Sequence, residues 1–248
     1  EKEKKEFSLL SLGLKLESLT FYLLILLLPT QTCKHFWPPF SQVLGIRVDY
    51  LSPAVCATDI LILILFTCWI GRIRRLSYLS HFNLSSLIFF LYLLLTILLS
   101  THPFPGLYQL VKISELFFLG FYVSERVKTK NEWAKIILIA SIAVIGESLL
   151  AIAQYIYQSS LNGPLYFFGE RTFTSNTPGI ANASINSQLI LRPYATFPHP
   201  NVLAGYLLCM LIMIFSEPAS STNIKKIIKT LALLFGQIAL LLTLSRTS

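Results

Sequence analysis

An all-α, polytopic bundle of transmembrane helices is the fold class this sequence predicts, and three observations carry that expectation. Hydrophobic residues make up 54% of the 248 and charged residues 13%, roughly half the charge of an ordinary soluble domain. The apolar residues fall in long continuous runs, which suit helices, and not in the alternation of a barrel strand. The basic residues gather in every second connection along the chain. About seven spans are expected, with the N-terminus cytoplasmic, in a single integral membrane domain over 1–248 that is truncated at its C-terminus.

The first apolar run covers 16–28. Lys2, Lys4 and Lys5 precede it as in a secretory signal. Pro29-Thr30-Gln31-Thr32 lacks the small residues of a cleavage site, so a retained helix is expected. The second, third and fourth runs cover 54–70, 84–100 and 107–123. The fifth, sixth and seventh cover 136–157, 201–215 and 227–244. Lengths of this order suit a hydrocarbon layer of about 30 Å; the first and sixth are short and draw on flanking residues.

Orientation follows from charge. Lys2, Lys4, Lys5 and Lys15 precede the first span, and Arg72, Arg74 and Arg75 connect the second to the third. Arg126, Lys128, Lys130 and Lys135 connect the fourth to the fifth, and Lys225, Lys226 and Lys229 the sixth to the seventh. The opposite side carries only Lys34, Arg47, Arg171, Arg192 and Arg246. The net charge of +8 is thus the positive-inside bias of a multi-pass protein of the inner (cytoplasmic) membrane, in contact with membrane lipids. No basic stretch has interleaved aromatics, so no nucleic acid partner is expected.

Two outward connections are longer. The one over 30–53 holds Trp37-Pro38-Pro39 and Tyr50, suited to anchoring at the lipid interface. The one over 158–200 is a long external loop rich in Asn, Ser, Thr, Gly and Pro, with an irregular middle at 172–188. Loops of that length tend to carry function. Cys33, Cys56, Cys68 and Cys209 form no CxxC pair and have no histidine at zinc-ligand spacing, so neither a disulfide framework nor a metal site is expected.

Chemistry concentrates in 191–208, LRPYATFPHPNVLAGYLL. Pro200 suits the first position of a helix. One reading makes His199-Pro200-Asn201 a helix start and nothing more. The other turns Arg192, His199 and the free N–H groups of the new helix toward one anion, since guanidinium meets phosphate through two parallel bonds. Arg246 is either a snorkelling interfacial arginine or a second arm of that site. Arg171 is a third candidate, with Glu170 beside it as a possible ion-pair partner.

Within the spans, Lys112 and Glu115 share one helical face and are expected to pair. Glu147, Ala151, Gln154 and Gln158 form a polar stripe that either joins helices or lines a cavity below the external loop. Asp59 and Gln237 are similar cases. His35, His81 and His102 stand alone.

The order of residues from Arg192 through Pro193-Tyr194-Ala195-Thr196-Phe197-Pro198-His199-Pro200-Asn201, followed by a helix, resembles the arginine, Gly-Thr-Phe and His-Pro-Asn pattern of the O-antigen ligase and polymerase family. Thr243-Leu244-Ser245-Arg246 is similar to the family's Thr-x-Ser-Arg at the end of the next helix. The resemblance covers about 192–246. It implies a metal-independent glycosyltransferase without cofactor that moves a glycan from undecaprenyl pyrophosphate to a lipid or glycan acceptor at the outer face of the cytoplasmic membrane, as in lipopolysaccharide biosynthesis. Arg192 and Arg246 would then hold the pyrophosphate, and His199 would shape the turn or touch the donor.

Two departures stand out. Ala195 replaces the family's glycine. The family's catalytic histidine belongs to a larger external loop further along, so no catalytic residue is assigned. The competing class is a membrane transporter or flippase with Lys112, Glu115, Glu147 and Gln154 along its path. Resistance of those four to substitution, and sensitivity at Arg192 and Arg246, separates the two.

Overall fold

A computed structural model describes residues 2–48, 51–72, 84–217 and 222–245. Seven α-helices hold most of them: α1 (Lys2–Leu27), α2 (Ala57–Arg72), α3 (Leu84–Leu98), α4 (Pro103–Arg126), α5 (Lys130–Tyr157), α6 (Pro200–Ser216) and α7 (Asn223–Leu242). Six short strands pair as three antiparallel ribbons. They are β1 (Cys33–His35) with β4 (Ala54–Cys56), β2 (Gln42–Val43) with β3 (Ile46–Arg47), and β5 (Asn182–Ile185) with β6 (Gln188–Leu191). Arg74, Arg75, Tyr50, His81 and Arg246 lie outside the described residues.

The expected bundle of seven spans is overturned. Among the described residues only α5 is long and apolar enough to cross a membrane, by length and composition. Multi-pass topology is therefore not supported, and the charge alternation that set the N-terminal side loses its basis. The reasons are physical. Helices α2, α3 and α6 have 16, 15 and 17 residues, or about 22–26 Å at 1.5 Å per residue, short of about 30 Å of hydrocarbon. Helix α4 carries Lys112, Glu115, Glu125 and Arg126, and α7 opens with Lys225, Lys226 and Lys229. The second apolar run loses its first three residues to β4, and the all-α expectation yields to three small sheets.

The chain divides into two compact units. The first comprises Glu1–Phe21 and Cys33–Arg126. Here Cys33 and Cys56 form a disulfide across the β1–β4 ribbon, correcting the expectation of none. Their spacing of 23 residues carries no motif; the register of the ribbon brings them opposite each other. Lys112 bonds Asp59 and sits 3.5 Å from Glu115, so the expected pair is a triad. Burial, then the Asp59 carboxylate, holds Glu115 above the ordinary carboxylate range. Arg72, read from sequence as an orientation charge, pairs with buried Glu17 and with Glu125. Glu17 also accepts from the Tyr122 hydroxyl at 2.9 Å.

The second unit comprises Tyr22–Thr32 and Val127–Ser248. Helix α5 is its centre. Thr129 caps the start by accepting the Glu132 N–H at 3.2 Å, while the Glu132 carboxylate accepts from the Tyr22 hydroxyl and from Lys135. Gln158 ends it in the left-handed conformation (φ 52°). Helices α6 and α7 pack on α5 around Val144, Leu203, Leu207, Ile214, Ala232 and Ala239. Gly236 permits the close approach of α7: a Cβ there would lie 2.7 Å from the Leu211 side chain and 3.2 Å from that of Val144.

Candidate functional site

The segment from β6 into α6 is held from below by α5. Gln154, fully buried, accepts the backbone N–H of Tyr194 (3.0 Å) and of Ala195 (2.8 Å) through Oε1. Its Nε2 donates to the Ala195 carbonyl (3.2 Å) and to Glu170 Oε1 (2.8 Å). Two turns earlier on the same face, Glu147 Oε2 accepts the Thr196 N–H (3.2 Å). The Thr196 hydroxyl lies between Glu147 Oε2 (2.9 Å) and the Pro29 carbonyl (2.8 Å). Gln158 Oε1 accepts from Leu191 N–H at 2.7 Å. The polar stripe of α5 thus spends its atoms on the loop. Of its two sequence readings, neither the helix-to-helix bond nor the cavity lining describes it.

This clamp sets the turn. Ala195 sits at φ 50°, in the left-handed region that disfavours a side chain. Its methyl group is buried in the core of the second unit. The conformation gives a reason for glycine at this place in the pattern the sequence resembles, and alanine adopts it here because three backbone bonds to Gln154 hold it.

Arg192, Arg171 and His199 come together on 198–201. Arg192 donates from Nε to the Thr243 carbonyl (2.7 Å) and from Nη2 to Asn201 Oδ1 (2.5 Å). Arg171 donates to the Pro198 carbonyl at 3.2 Å. Neither arginine meets a carboxylate among the described residues, and the Nη1 hydrogens of Arg192 have no partner there. Glu170, expected as an ion-pair partner of Arg171, is turned inward at 2% exposure. It accepts from Gln154 and from the N–H groups of Leu161 and Asn162, each at 2.8 Å.

His199 caps α6: its Nδ1 accepts the Asn201 N–H at 3.1 Å. The N–H groups of Val202 and Leu203 both go to the His199 carbonyl, and Pro200 has none. The first turn of α6 therefore offers no free N–H to a ligand, which corrects that part of the anion reading. The positive charge rests on the two guanidiniums and the helix dipole. Arg192 lies against Thr243, three residues before Arg246, which is outside the described residues.

Glu170 and Thr196 hold this turn through buried hydrogen bonds that sequence reasoning missed. Glu170 looked like a surface neighbour of an arginine, and nothing in its local pattern marks the buried position. The middle of the long loop also departs from expectation: 182–191 is a hairpin, in register from Asn182↔Leu191 to Ile185↔Gln188. No family model, no curated protein and no solved structure matches this chain.

Proposed function

We propose that the second unit carries the donor site of a metal-independent membrane glycosyltransferase resembling the O-antigen ligase and polymerase family. It holds a glycan on undecaprenyl pyrophosphate at the outer face of the cytoplasmic membrane, for transfer to a lipid or glycan acceptor. The observation that carries this reading is the pair of arginines, Arg171 and Arg192, anchored on 198–201 without an acidic partner among the described residues. Each keeps donors for phosphate oxygens, and guanidinium suits a pyrophosphate better than ammonium would.

Chemically, an acceptor hydroxyl forms a new bond to the anomeric carbon while the bond from that carbon to the pyrophosphate oxygen breaks. Undecaprenyl pyrophosphate leaves as an anion, and the guanidiniums stabilise its growing charge. The base that takes the hydroxyl proton is unassigned. We assign His199 to shaping the turn, where its Nδ1 accepts the Asn201 N–H.

Membrane placement rests on α5, which is long and apolar enough to cross once. An oxidising compartment is supported by the Cys33–Cys56 disulfide, since such bonds persist there. The transport alternative required Glu147 and Gln154 along a path, and both are occupied by the loop.

The test uses the full-length gene in a host lacking its own ligase or polymerase. Arg192→Ala and Arg246→Ala are expected to abolish the surface glycan ladder at unchanged protein level, and Arg171→Ala to weaken it. Each lost charge-assisted hydrogen bond is worth about 1.5–3 kcal/mol, or roughly ten- to a hundredfold in donor affinity. Normal ladders from Arg192→Ala and Arg246→Ala would sink the proposal.

A further inference from the structure

The 3-10 helix Gly163–Phe168 turns a row of aromatic rings into solvent. Leu165 faces the core of the second unit. Tyr166, Phe167 and Phe168 are 66%, 72% and 47% exposed. Ile156 and Tyr157, on the last turn of α5, are as open. Large apolar side chains this concentrated mark an interaction surface.

Their backbone is firmly held. Phe168 O accepts the Gln31 N–H (3.2 Å), and Phe167 O accepts the Thr32 hydroxyl (2.7 Å). The level is set as well. Glu170 N–H reaches Leu165 O, while the Glu170 carboxylate bonds Leu161 N–H, Asn162 N–H and Gln154. Gln154 stands one turn before the end of α5, so the aromatic turn is bolted to the C-terminal end of that helix.

We propose that Tyr166, Phe167 and Phe168 form a wedge seated in the boundary between headgroups and acyl chains of a lipid bilayer, at the end where α5 emerges. The proposal rests on the reading of α5 as a membrane crossing. At 28 residues α5 is about 42 Å long and outreaches about 30 Å of hydrocarbon, so its last turn arrives at the interface. Aromatic rings favour that layer, and the tyrosine hydroxyl can stay wet there. Charge agrees: Arg171, three residues past Phe168, is exposed, and the one acid between Ile156 and Arg171, Glu170, is buried. The surface presented to the bilayer is thus apolar with a cationic edge, which suits lipid phosphates.

The experiment reconstitutes the whole chain in vesicles of phosphatidylcholine and phosphatidylglycerol. An environment-sensitive fluorophore is attached at Phe167→Cys in a Cys68→Ala, Cys209→Ala background, which leaves the disulfide. Phe167 is exposed, so the fold does not depend on its ring. Expected are blue-shifted emission, strong loss of signal to a lipid with a nitroxide near its headgroup, and protection from aqueous iodide. Iodide access equal to that of the denatured chain, without loss to the nitroxide lipid, overturns the wedge. The crossing is decided separately, by labelling Lys130→Cys and Ser187→Cys with an impermeant maleimide in intact spheroplasts. One site labelled and the other not supports a crossing; both labelled or both silent overturns it, whatever the probe at 167 reports.

Discussion

Gln154 shows how much one buried side chain can organise. It satisfies the N–H of Tyr194 and both backbone groups of Ala195, and it fixes Glu170. Gln154→Leu keeps the volume and removes all of these. Each orphaned buried group costs about 1–3 kcal/mol, so a loss of more than about 3 kcal/mol is expected, read as a lowered thermal midpoint in detergent. Glu147→Gln keeps an acceptor for Thr196 and should cost far less. Equal midpoints for Gln154→Leu and the parent would contradict the clamp. At this scale the sequence was half legible. The spacing of Glu147, Gln154 and Gln158 revealed one polar face, because helix periodicity is local. Their partners in the loop lie 16 to 49 residues away, and no local pattern names them.

Among the elements, the aromatic 3-10 helix depends on its closing glycine. Gly169 adopts φ 101°, and a Cβ there would lie 2.6 Å from the Gln31 backbone nitrogen. Backbone cannot yield as a flexible side chain does. Gly169→Ala is therefore expected to cost at least about 2 kcal/mol from conformational strain and overlap together. Amide exchange at Gln31 should quicken, because its bond to Phe168 O is the first to be displaced. Unchanged exchange at Gln31 would show that the turn accommodates a side chain. The helices themselves were legible: each of the seven apolar runs overlaps one α-helix, since a continuous apolar stretch of this length has few other solutions. Their ability to span a membrane was not legible. The runs include β4 residues and turn residues that lengthen them on paper and not in space.

For the molecule as a whole, the disulfide and the one helix that is long and apolar enough to cross a membrane among the described residues revise the sequence reading. Closing a loop of 23 residues stabilises by about 3 kcal/mol in the chain-entropy account. Reduction, or Cys33→Ser with Cys56→Ser, should remove about that much from the first unit and expose 33–56 to amide exchange. Full protection after reduction would mean that the β1–β4 ribbon stands without its staple. The sequence by itself determined where helices form and which segment concentrates cationic chemistry, because apolar runs and the arginine, His-Pro-Asn order are local properties. Only the tertiary structure decided which cysteines pair, which loop residues the α5 stripe holds, and that Arg171 and Arg192 share one turn. Those outcomes depend on packing between distant parts of the chain, as in the bond from Arg192 to Thr243, 51 residues on.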